Sequence, residues 1–65
     1  MRGLTLKQIE VLQLTADGLT AGQVATKLGK AQSTVKNSLT DIRQKLQATA
    51  TVQAVAMAFR LGYLK

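Results

Sequence analysis

The stretch AGQVATKLGKAQSTVKNSLTDIRQKL, residues 21–46, decides the fold. Its apolar residues fall into two helical sets. Val24, Ala25 and Leu28 share one face of a short helix over residues 21–28, and Gly29 ends it, because glycine enters the left-handed conformation without a Cβ penalty. Val35, Leu39, Ile42 and Leu46 then follow steps of four, three and four, which places them on one narrow stripe of a longer helix over residues 32–47. A short helix, a turn of about four residues (Gly29 to Gln32) and a longer helix make a helix-turn-helix, whose first helix sets the angle of the second.

The face opposite that stripe collects Ser33, Lys36, Asn37, Thr40, Gln44 and Gln47, with Arg43 on its flank and Asp41, the helix's only carboxylate, well to the side. A generic solvated helix face mixes Glu with Lys at spaced positions. This one offers amide, hydroxyl and ammonium groups, which suit base edges and phosphates. Gln and Thr are also common on ordinary polar surfaces, so the composition of this face leaves that second reading open.

Working outward, Leu6, Ile9, Leu12 and Ala16 recur at helical spacing, with Val11 beside them, and predict a first helix over residues 6–17. Thr5 followed by Gln8 has the form of a capping box, and Thr20 with Gln23 repeats it before the second helix. A fourth helix is expected over residues 51–61. Its stripe of Val52, Val55, Ala56 and Phe59 is expected to close the core. Its other side is also apolar: Ala50, Ala54, Met57, Ala58 and Leu61. A helix apolar on both sides needs two partners, so this second side is assigned to contact with another copy of the chain in a symmetric dimer. Surface alanine tolerated for its helix propensity is the alternative.

Composition agrees with one all-α domain over residues 1–65. The 65 residues are 46% hydrophobic, lack proline, and show no alternating β-branched runs. A formal net charge of +6, from nine Lys and Arg against three Asp and Glu, points to a polyanionic partner. The chain has no His and no Cys, and its carboxylates Glu10, Asp17 and Asp41 stand apart in sequence. General acid–base chemistry and metal ligation need such groups in pairs or clusters, and no glycine-rich phosphate loop is present, so neither an enzyme nor a metal or cofactor site is expected. No apolar run approaches the ~18 residues of a membrane span, and Met1 to Thr5 does not begin a signal peptide. These features fit a cytoplasmic, nucleoid-associated protein without a membrane partner.

Taken together, Leu4-Thr5, Glu10-Val11-Leu12, Ala16 to Thr20, Val24-Ala25, Lys27-Leu28-Gly29, Ser33 to Lys36, Ile42, Lys45-Leu46, Gln53-Ala54-Val55 and Gly62 resemble the LuxR/GerE-type helix-turn-helix domain found at the C-terminus of many bacterial response regulators and quorum-sensing receptors. The resemblance runs from about Leu4 to Leu64. It implies a four-helix fold whose third helix is the recognition helix, with Lys36, Asn37 and Thr40 facing bases and Ser33, Thr34, Lys45 and Gln23 touching phosphates; flanking Arg43 joins the backbone-contacting set. It also implies a dimer contact through the fourth helix, and transcription regulation, often through RNA polymerase. The chain departs from the family pattern at several positions. Ala31 replaces the usual capping serine, Lys7 and Gln8 replace an Arg-Glu pair, Ser38 replaces a frequent histidine, Gln47 a glycine and Thr51 a frequent arginine.

The resulting expectation is a homodimeric, sequence-specific regulator that binds double-stranded DNA. Read as beginning at Met1, it is a stand-alone domain or a piece cut from a longer protein; a stand-alone form would be controlled through its abundance or a partner. Two other readings remain at this point. In one, the chain captures a larger LuxR-type regulator through its fourth helix. In the other, it is a cationic membrane-active peptide.

Overall fold

A computed structural model describes residues 3–65; Met1 and Arg2, which belong to the expected domain and to the N-terminus compared with a signal peptide, lie outside the described residues. The described residues form four helices and no strand: α1 (Leu6–Ala16), α2 (Ala21–Leu28), α3 (Gln32–Leu46) and α4 (Thr51–Arg60). The all-α architecture expected from the helical spacing is therefore the observed one. The expected ends of α1, α3 and α4 each overran by one residue, because Asp17, Gln47 and Leu61 are the C-caps.

The capping chemistry read from the sequence is present at the first two helices. Thr5 and Thr20 each accept the N3 amide through the side-chain hydroxyl, and Gln8 and Gln23 each return a bond to the cap amide. Two donors that a helix start leaves without partners are thereby satisfied at each helix. At α3 the N-cap is Ala31, and no side chain caps it.

α3 is the central element: it packs on α1, α2 and α4, whereas α2 and α4 share no contact. Two apolar clusters hold it. Val11, Val24, Ala25 and Val35 join α1, α2 and α3. Leu12, Ile42, Leu46, Ala54, Ala58 and Leu64 join α1, α3, α4 and the C-terminal tail, and half-buried Leu39 packs against both clusters. Neighbouring Val11 and Leu12 thus send α1 into both clusters. The four side chains of α3 expected on its buried stripe, Val35, Leu39, Ile42 and Leu46, are those that the clusters contain.

The orientation of α4 corrects the sequence reading. Ala54 and Ala58 are 0% exposed, inside the chain's own core, so they are unavailable to a second copy. Val52 and Phe59, expected to close the core, are 81% and 46% exposed. The reason is size. The core already holds Leu12, Ile42 and Leu46, and alanines let α4 approach them closely. The remaining volume is filled by Leu64, 5% exposed, to which the sequence reading gave no place in the core. It arrives there because the chain reverses at Gly62, φ 87°, after which the Tyr63 amide donates to the Ala58 carbonyl at 2.9 Å. The Lys65 amide then donates to Gln13 Oε1 at 3.1 Å, pinning the tail to α1. Of the other residues assigned to the dimer contact, Ala50 and Leu61 are exposed and Met57 is half-buried against the core.

Candidate nucleic-acid interface

One side of α3 is clamped by the two clusters, and the other is left open. Ser33, Thr34, Lys36, Asn37, Thr40, Gln44 and Gln47 are all exposed. Lys36, Thr40 and Ser33 lie within roughly one third of the helix circumference, with Asn37 at its edge, at ~100° per residue. No described residue covers Lys36, Asn37 or Thr40, which is the condition that a recognition helix must meet. Rigid packing of the opposite stripe fixes how this face is presented.

Three of the groups assigned to the phosphates lie in the first turns of α2 and α3. Ser33 and Thr34 sit in the first turn of α3, and Gln23 is exposed in the first turn of α2, where its Oε1 caps the Thr20 amide at 2.9 Å. With Ala31 offering no side-chain bond, the first amides of α3 have no side-chain partner, and the helix dipole favours an anion there. Lys30 in the turn and Lys7 on α1 line the same groove of about 160 Å³ as Thr34 and Ser38. Neither lysine was assigned to the nucleic-acid interface from the sequence. The signal available was the charge excess, which does not say which cations share a side.

The other two assigned backbone contacts are engaged within the protein. Lys45 Nζ donates to Gln8 Oε1 at 2.9 Å and lies 3.6 Å from Asp41 Oδ2, with its side chain 17% exposed. Gln8 Nε2 also donates to Asp41 Oδ2, so one glutamine joins the α1 cap to two charged residues of α3. Arg43 is half-buried and bridges two hydroxyls: Nη1 donates to Thr51 Oγ1 at 2.9 Å and Nη2 to Thr40 Oγ1 at 3.3 Å. The fold therefore separates Lys45, turned onto α1, from the face that carries Lys36, Asn37 and Thr40.

A second open surface lies on α4. Val52, Ala56 and Phe59 are exposed on one side of this helix, and Leu61, 61% exposed, follows at its C-cap. Among the described residues no group of His, Cys, Asp or Glu is arranged to hold a metal ion, and no helix is long and apolar enough to cross a membrane.

Comparison with known proteins places this geometry. A solved structure of the transcription factor GerE superposes with a TM-score of 0.93 at 29% identity, covering 98% of this chain and 97% of that one. The transcriptional regulatory protein YdfI of Bacillus subtilis (strain 168) is 41% identical over 61 residues, which are 94% of this chain and 29% of YdfI. The transcriptional activator protein PhzR of Pseudomonas fluorescens is 36% identical over 58 residues, 89% of this chain and 24% of PhzR. The chain thus spans less than a third of the length of these two curated relatives. The family model for bacterial regulatory proteins of the luxR family, GerE, matches residues 2–58. With that match across nearly its whole length, and with a helix-turn-helix presented as described, the chain belongs to the luxR family of bacterial regulatory proteins.

Proposed function

We propose that this chain binds double-stranded DNA sequence-specifically as a homodimer, with α3 in the major groove, and serves transcription regulation as its relatives' names state for them. The observation that carries the reading is the exposed, acid-free face of α3. Lys36, Asn37 and Thr40 contact bases. Ser33, Thr34 and Gln23 contact phosphates from the α2–α3 side, with Lys30 and Lys7 adding charge there. Arg43 and Lys45 reach the backbone from the flanks while retaining their internal partners.

The dimer contact moves to the outer side of α4. Val52, Ala56 and Phe59, continued by Leu61, supply the apolar surface that a self-complementary, two-fold contact requires. Two recognition helices related by that axis read a palindromic site with half-sites about one helical turn apart.

Selection of bound sequences from a random DNA pool tests this function directly. The expected winners share a palindromic motif, and Lys36→Ala and Asn37→Ala each weaken binding to it by about 1–3 kcal/mol in gel shifts. A pool from which nothing is enriched overturns the assignment. If the same chain then captures a longer luxR-family regulator through α4, the sequestering role takes its place.

A further inference from the structure

The hydrogen bonds on the reading face distinguish its three base-facing residues from one another. Lys36 and Asn37 direct exposed side chains outward, with no side-chain hydrogen bond to another described residue. Thr40 is different. Its hydroxyl donates to the Lys36 carbonyl at 3.1 Å, one turn back along the helix. The same oxygen accepts from Arg43 Nη2 at 3.3 Å, and Arg43 is itself held by Thr51 at the start of α4. A threonine hydroxyl has one hydrogen and two lone pairs. The hydrogen and one lone pair are occupied, so Thr40 has no donor left for a base. Besides its second lone pair, which can only accept, what remains unengaged on Thr40 is its Cγ2 methyl group.

We propose that Thr40 reads a thymine through its 5-methyl group, with Arg43 as the positioning residue that keeps the threonine hydroxyl turned inward. This rests on the DNA-binding function proposed above and adds the chemistry of one base position. Among the major-groove edges only thymine carries a methyl group, and apolar contact with it is a recognised threonine pairing. Asn37, with both amide ends available, is suited to hydrogen bonds with a neighbouring base pair. The reading face thus combines one apolar contact with two polar ones.

Deoxyuridine scanning of the selected operator tests the pairing, because exchanging thymine for uracil removes only the major-groove methyl group. At one thymine of each half-site, uracil is expected to weaken binding of the unaltered chain about fourfold, the weight of one buried methyl group. Thr40→Ser keeps the hydroxyl and loses the methyl, so it should bind thymine and uracil equally at that position. Thr40→Val keeps a methyl and loses the hydroxyl, and should retain the discrimination. Circular dichroism of both variants shows whether each is folded before it is compared. An operator whose uracil sensitivity is unchanged by Thr40→Ser at every thymine overturns the inference and leaves DNA binding intact. A pool that yields no operator overturns the parent function and the inference with it.

Discussion

Gln47 ends α3 with φ 55°, the only non-glycine residue with positive φ among the described residues. Its amide donates to the Gln44 carbonyl at 3.1 Å, and the next amide, of Ala48, to the Arg43 carbonyl at 2.8 Å. The turn therefore satisfies the last carbonyls of α3, at the cost of placing a Cβ where L-residues are strained. Gln47→Gly relieves that strain but frees more of the unfolded chain, and the balance favours the folded form by roughly 0.5–1 kcal/mol. Thermal unfolding is expected to shift upward by about 2–8 °C for a domain of this size; an unchanged or lowered midpoint would show that the turn is unstrained. Gln8 illustrates the opposite situation. Its spacing from Thr5 identified the capping box, but its bonds to Lys45 and Asp41 join positions 37 and 33 residues away. No local pattern announces such contacts.

At the scale of elements, α4 carries two apolar faces with different tasks. The inner face is made of alanines against leucine and isoleucine, and there an added side chain has nowhere to go. Ala58→Leu should cost about 1–3 kcal/mol or more through overpacking, seen as a lower midpoint in urea or heat. The outer face carries Val52 and Phe59 in contact with solvent. Phe59→Ser together with Val52→Ser should leave helicity and the unfolding midpoint of the monomer little changed. In sedimentation the double variant is expected to run as a monomer at concentrations where the unaltered chain is dimeric. A dimer that survives both substitutions would place the self-contact on another surface. α3 is divided in the same manner, with a buried stripe that carries stability and an exposed face proposed for recognition.

At the scale of the molecule, a formal net charge of +6 on 65 residues governs how binding responds to salt. Each phosphate neutralised by Lys or Arg releases counterions, so the logarithm of affinity should fall linearly with the logarithm of salt concentration at a slope of about −0.9 per phosphate contact. Lys30→Ala and Lys7→Ala, which remove cations beside Thr34, should each reduce that slope by about one unit while leaving sequence preference intact. Lys36→Ala should instead alter the preference. An unchanged slope for both of the former variants would remove these lysines from the interface. The charge is matched to a small core. The large fully buried side chains are Leu12, Ile42, Val24 and Val35, and a domain of this size has correspondingly little stability to lose.

Period and capping were readable along the chain because both are local. A 3.6-residue repeat states which residues of α3 must share a side, and Thr5–Gln8 and Thr20–Gln23 mark helix starts within four residues. The helix-turn-helix and its open, acid-free face follow from these patterns. What depended on the assembled fold was which face of α4 turns inward and which cations remain unengaged. Hydrophobicity alone ranked Val52 and Phe59 as better core residues than Ala54 and Ala58. Close packing reversed that order, because the space left between α1, α3 and the returning Leu64 admits only small side chains.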